Sequence, residues 1–256
     1  MLYPGLTVFD LAGALQIFTG VSELGPQDRV VVVAERVEPM DTDIHVKMIP
    51  THSFAQVPHP SILLVPGGGV PTLRAMSNEA MRTYVRSAAK TAEVAGSVCT
   101  GALILGSVGL LEGRQATTHW AFYNVLEELG AEYVRKRWVE DSKFIFSAGV
   151  SAGIDMALQL AARLTDEETA LRVQGSLGYD PHPPFGGIDY DHLGAMANTM
   201  RAGLSVAAPL IKLRDEKDLD ALSDDLGGVA RETMQPPYVS LWLRAETPWR
   251  SDQQAD

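Results

Sequence analysis

The sequence predicts an α/β fold: a doubly wound, mostly parallel sheet with helices on both faces, followed by a helical C-terminal extension. Two observations carry this. Short continuous apolar runs alternate with segments of helical periodicity through the first two thirds of the 256 residues. Unbroken apolar strands, rather than alternating ones, belong to a parallel sheet covered on both faces. A hydrophobic fraction of 46% supplies a core large enough for one such domain.

The elements follow in order. Leu2-Tyr3 has the look of a clipped end of a first strand. Leu11, Leu15 and Phe18 set a helical spacing over 11–24. The run Arg-Val-Val-Val-Val-Ala at 29–34 predicts a buried strand, and 61–65 another, stopped by Pro66-Gly67-Gly68-Gly69. Ser77 is placed to cap a helix over 78–89, with Glu79 in its first turn. A strand over 94–98 leads into Cys99, and a helix over 100–108 leaves it. Helices are predicted over 119–129, 153–164 and 166–177, with a short strand before His119 and a strand at 143–147. Residues 1–186 form one domain in this reading and 187–256 a mainly helical extension, packed on the core or on a second subunit. The extension includes an Ala/Met/Leu-rich helical stretch over 193–213, an acidic segment after it, and an extended segment from Gln235.

Composition narrows the function. A formal charge of -11 argues against a general nucleic-acid or anionic-membrane binder. The single cysteine rules out an internal disulfide and fits a reducing compartment. No apolar run spans a bilayer, and the N-terminus lacks the pattern of a signal peptide. A cytoplasmic protein is expected. The six histidines include no His-x-x-x-His pair, so neither metal nor cofactor is expected.

Cys99 is the informative residue. It falls where a strand turns sharply into a small-residue helix, Val98-Cys-Thr-Gly-Ala102. Such a turn sets the sulfur at the carboxyl edge of the sheet, where open α/β folds bind ligands. A helix N-terminus there stabilises a thiolate and lowers its pKa. A free cysteine is also a common core filler. Spacing alone leaves both readings open.

Six segments in order resemble the ThiJ/PfpI superfamily: Tyr3-Pro-Gly-Leu-Thr-Val-Phe-Asp10-Leu-Ala-Gly13, Val65-Pro-Gly-Gly-Gly69, Val98-Cys-Thr-Gly-Ala102, Ala116-Thr-Thr-His-Trp120, Gly149-Val-Ser-Ala-Gly-Ile-Asp-Met156 and Tyr179-Asp-Pro-His-Pro-Pro-Phe185. The resemblance covers 1–186 and implies the flavodoxin-like fold of class I glutamine amidotransferases. Thr100 stands where many members carry His, and Asp10 where many carry Glu. In both respects the chain is most similar to the isonitrile hydratase branch. The resemblance implies a homodimer and a small-molecule substrate; the acidic charge and the lack of a spanning apolar run imply no nucleic acid and no membrane as partners.

The implied reaction hydrates an isonitrile to an N-substituted formamide through a thioimidate on Cys99. Asp10 would be the acid–base partner, kept protonated by burial and by the neighbouring thiolate. Its competing reading is the N-cap of the first helix. Thr100 would donate to substrate or water, or simply open its helix. Gly68 and Gly69 would bring main-chain N–H groups to the site as anion donors. Gly101 is grouped with them, or serves close packing. His119 and Trp120 would line the pocket, with Trp120 as an apolar wall and His119 as a possible base. Their plainer reading is a core tryptophan and a capping histidine.

Two other functions compete. One is a ligand-sensing regulatory domain, although the acidic tail offers no basic recognition helix. The other is a glyoxalase-like, deglycase-like or redox stress protein, with Cys99 on the oxidation ladder.

Overall fold

The computed structural model describes residues 1–24, 29–190 and Leu204. The expectations for 193–213, for the acidic segment and for the segment from Gln235 lie outside the described residues, apart from Leu204, which is buried in the main core cluster.

The chain opens with α1 (Val8–Leu24), then β1 (Val33–Ala34), β2 (Met40–Asp41), β3 (Lys47–Met48), β4 (His52–Ser53) and β5 (Ile62–Val65). Next come α2 (Pro71–Ser77), α3 (Glu79–Thr91), β6 (Val94–Val98), α4 (Gly101–Ser107) and β7 (Gln115–Ala116). The remainder is α5 (Tyr123–Glu128), β8 (Glu132–Tyr133), β9 (Trp138–Asp141), β10 (Phe144–Ser147), α6 (Ala152–Leu164) and α7 (Glu167–Ser176). The central sheet has the order β5-β6-β10-β9. Its first three strands are parallel, and β9 is antiparallel to β10.

Side-chain alternation along β6 builds the two layers. Val94 and Val98 meet Ile145, Met156 and Leu160 on one side. Ala95 joins Leu63, Val65, Phe144 and Phe146 on the other, with α2 to α5 over them. On the first side α1 packs against α6 and α7 through Ala14, Ile17, Ala157, Ala161 and Val173. Helices therefore cover both faces of a mostly parallel sheet, the fold class the sequence predicts.

Several local expectations change. Leu2 does not form a ladder strand, yet it sits where one belongs: its N–H donates to the Val33 carbonyl at 2.7 Å, and the Met1 amine donates to the Leu64 carbonyl at 3.3 Å. The segment bridges β1 and β5 with too few residues for a ladder. The 29–34 run is a strand only at Val33–Ala34, paired with β4. Ser77 is not a cap. It ends α2, its hydroxyl donating to the Arg74 carbonyl, and Asn78 caps α3 by accepting from the Met81 N–H at 2.7 Å. Residues 119–129 divide into a 3-10 turn at Trp120–Phe122 followed by α5. The hairpin of β2 and β3 and the strands β8 and β9 have no strong apolar run to announce them, whereas β7 is the short strand expected before His119.

Candidate active site

Cys99 occupies a strained elbow. Its φ is +57°, in the left-handed region, which costs a non-glycine residue ~1–2 kcal/mol. Two hydrogen bonds hold it there. The Cys99 N–H donates to the Ser147 carbonyl at 3.0 Å, and the Thr118 hydroxyl donates to the Cys99 carbonyl at 3.0 Å. Each contributes ~1 kcal/mol net, enough together to offset the strain. Neighbouring strand β10 and the 117–119 segment thus fix the nucleophile's backbone.

Asp10 approaches from α1. It is not that helix's N-cap. The helix begins at Val8, whose N–H is satisfied by Asp43 Oδ1 at 2.9 Å. Asp10 instead lies inside the first turn with 1% of its surface exposed. Its Oδ2 accepts the Gly67 N–H at 3.1 Å. Its Oδ1 is buried without a hydrogen-bond partner; the carboxyl faces the Cys99 thiol closely enough for each to shift the other's proton affinity.

Electrostatics follow from this burial. Desolvation pushes the Asp10 carboxyl up to about 7, against the lowering effect of the facing Cys99 thiol and the Gly67 N–H. Desolvation and the facing carboxyl push the Cys99 thiol well above its ordinary value. The expected acidification by a helix N-terminus is outweighed in the resting site. The Thr100 N–H faces the sulfur and favours the thiolate, but it acts against full burial. One proton is strongly held between two groups that resist ionising together.

Thr100 opens α4, yet its hydroxyl makes no capping bond to that helix. It turns back to the glycine turn after β5, where Thr100 Oγ1 accepts the N–H groups of Gly68 and Gly69, each at 3.0 Å. This departs from the expected role of those glycines, because their donors are satisfied by Thr100 instead of pointing into an open anion site. Gly101 lies behind the site. A Cβ there would stand 2.1 Å from the Val65 carbonyl oxygen, so α4 can rest on the end of β5 only because this residue has no side chain.

His119 and Trp120 are joined to the elbow through Thr118. His119 Nδ1 accepts the Ala121 N–H at 3.3 Å and caps the 3-10 turn. Burial lowers its imidazole to about 4, leaving it neutral at physiological pH. Trp120 is half-buried against the main core, its ring 5.1 Å from that of His119. The groups that bear on the Cys99 sulfur are Asp10 and Thr100, so the structure gathers Asp10, Cys99, Thr100, Gly68 and Gly69.

Sequence reasoning missed Gly67 and Thr118. A Cβ on Gly67 would lie 2.7 Å from Asp10 Oδ2, from the Thr100 nitrogen and from Thr100 Oγ1. Its place within the Pro-Gly-Gly-Gly turn was the available signal. Thr118 was visible only as a threonine before His119.

Against this geometry, the DJ-1/PfpI family pattern matches residues 9–163. The chain belongs to the DJ-1/PfpI family. It is similar to an isonitrile hydratase of Pseudomonas putida, with 37% identity over 217 residues, 84% of this chain and 92% of that protein. A ThiJ/PfpI family protein of Pseudomonas syringae shares its structure with a TM-score of 0.69 at 34% identity, covering 87% of this chain and 88% of the other. DJ-1/PfpI relatives also include the HTH-type transcriptional regulator CdhR of Pseudomonas aeruginosa, 31% identical over 43% of this chain but only 33% of the regulator. Among the described residues no helix is long and apolar enough to cross a membrane.

Proposed function

We propose that this protein is an isonitrile hydratase-like enzyme that converts an isonitrile and water to an N-substituted formamide through Cys99. The observation that carries the reading is the 37% identity to an isonitrile hydratase across 84% of the chain. The paired Asp10 and Cys99 provide chemistry suited to it. Moving the shared proton from sulfur to carboxylate yields a thiolate facing a neutral acid without changing the net charge.

The thiolate attacks the terminal isonitrile carbon, forming the S–C bond, and Asp10 delivers its proton to that carbon. The product is a thioimidate, with Asp10 left as carboxylate. Water adds its hydroxyl to the same carbon, and its other proton passes through Asp10 to nitrogen. Loss of the new hydroxyl proton to Asp10 forms the formamide carbonyl, expels the Cys99 thiolate and restores the starting state. Thr100 stabilises the sulfur anion through its main-chain N–H, and Trp120 gives the substrate's R group an apolar wall. Residues 1–186 form the catalytic domain, working as a cytoplasmic homodimer.

The test is formamide production from an aryl isonitrile by wild type, Cys99→Ala and Asp10→Asn. Cysteine-dependent turnover supports the reading. A folded wild type with a free thiol and no turnover overturns it and favours a sensing role. Scattering mass tests the dimer: a monomer in solution removes that part.

A further inference from the structure

We propose that Tyr3 and Thr72 are positioning residues that turn the Thr100 hydroxyl proton away from the Cys99 sulfur and so hold the thiol in reserve. The inference concerns the nucleophile itself and stands whether or not isonitriles are the substrate.

Three buried hydroxyls form a chain beside the nucleophile. Thr100 Oγ1 and Thr72 Oγ1 are 2.7 Å apart, and Thr72 Oγ1 is 3.0 Å from the Tyr3 hydroxyl. Tyr3 is 2% exposed, and Thr72 and Thr100 are fully buried, so water cannot complete the bonding of any of them. At the far end the Tyr3 hydroxyl donates to the Pro66 carbonyl at 3.1 Å.

Proton counting fixes the direction. A hydroxyl has one hydrogen to donate and two lone pairs to accept with. Both lone pairs of Thr100 Oγ1 are used by the N–H groups of Gly68 and Gly69. Thr100 therefore has no capacity to accept from Thr72, and their 2.7 Å bond must be donated by Thr100. Thr72 then donates to Tyr3, and Tyr3 to Pro66. Every hydrogen has an acceptor and every bond a hydrogen in this single arrangement. Its consequence falls on Cys99. The Thr100 oxygen lies against the sulfur, but its hydrogen is committed to Thr72, so the thiolate lacks a hydroxyl donor that is already in place.

Cutting the chain releases that hydrogen. In Thr72→Val the Thr100 proton loses its acceptor, and the sulfur is the acceptor that remains. In Tyr3→Phe the Thr72 proton has no outlet at Tyr3 and turns toward Thr100 by displacing the part-buried Gly69 N–H, which water can satisfy; Thr100 then donates to sulfur. The other groups bearing on Cys99 stay unchanged: Asp10 on α1 faces the thiol directly, with Asp43 acting on Asp10.

The experiment is the pH profile of iodoacetamide alkylation. Cys99 is the only cysteine, so the full chain reports a single thiol. The expected result is a midpoint lowered by about one pH unit in Thr72→Val, the size of one hydrogen bond to a charged group. A smaller lowering is expected in Tyr3→Phe, and a wild-type midpoint in Thr72→Ser, which keeps the chain. A loosened site would also acidify the thiol by admitting water, so Tyr3→Phe is repeated in a Thr100→Val background. If the effect runs through the Thr100 hydroxyl, it disappears there. A shift that persists without that hydroxyl overturns the proposal, as does an unchanged or raised midpoint in folded Tyr3→Phe. Failure of isonitrile turnover leaves this readout intact.

Discussion

The Thr118 hydroxyl donates to the Cys99 carbonyl at 3.0 Å. This bond joins the nucleophile elbow to the segment that carries His119 and Trp120, and it opposes the strain of a cysteine at φ +57°. Replacing the donor leaves a buried carbonyl without its partner. Thr118→Val should therefore lower stability by ~1–3 kcal/mol, read as a lower urea midpoint. Thr117→Val should cost less, because its bond to the Lys136 carbonyl is longer, at 3.3 Å. Equal losses from the two variants would show that the elbow does not depend on Thr118.

Asp10 makes stability depend on pH. Its ordinary value of 3.8 rises to about 7 through burial. The folded protein therefore binds more protons than the unfolded chain between those values. Stability falls as pH climbs from about 4 to about 7, then levels off, a loss on the order of a few kcal/mol. Asp10→Asn cannot titrate and should escape this decline. Denaturation at pH 5 and pH 8 should show the variant gaining on wild type at the higher pH, with turnover lost. A difference between the two proteins that is the same at both pH values would exclude a raised Asp10.

His119 has the opposite slope. Burial lowers its imidazole from 6.5 to about 4, so folding favours the neutral ring. Its contribution is full above pH 6.5 and is lost as pH falls toward 4. His119→Asn keeps a side-chain acceptor for the Ala121 N–H but does not titrate. It should flatten that part of the stability profile while leaving the fold intact at pH 8. A slope in the variant equal to that of wild type would show that His119 is not the source.

The two glycines beside the site should fail in different ways. A methyl at Gly101 meets the backbone oxygen of Val65 at 2.1 Å. Backbone cannot swing aside, so Gly101→Ala should destabilise by ~3 kcal/mol or more or prevent folding. A methyl at Gly67 meets Asp10 Oδ2 and the Thr100 nitrogen and Oγ1 at 2.7 Å. Gly67→Ala should displace the acid from the thiol and abolish turnover, with a loss of stability from the Thr100 nitrogen contact that is smaller than that of Gly101→Ala, whose methyl stands closer to backbone. Thermal melts and turnover of the two variants side by side check the contrast. A Gly67→Ala protein with full turnover would remove Asp10's position from the mechanism.

The sequence by itself determined the layers and the place of the nucleophile. Strands β6 and β10 are buried on both faces and β5 is buried on one face and half-buried on the other, so local hydrophobicity marked all three. The turn of one of them into small residues marked Cys99. A short strand such as β8 forms a two-residue ladder, whose stability comes from a distant partner and leaves no local trace. Asn78 capped α3 in place of Ser77 because α2, opened by Pro71, runs through Ser77. Tertiary structure alone decided the chemistry at the sulfur. The elbow's placement favours an acidic thiol, but burial is set by packing from α1, α4 and the glycine turn together. It took residues 57 positions apart to bond Asp10 to Gly67 and residues 69 apart to join Tyr3 to Thr72. Proton affinity depends on which groups end up facing one another without water, and that is a property of the folded chain.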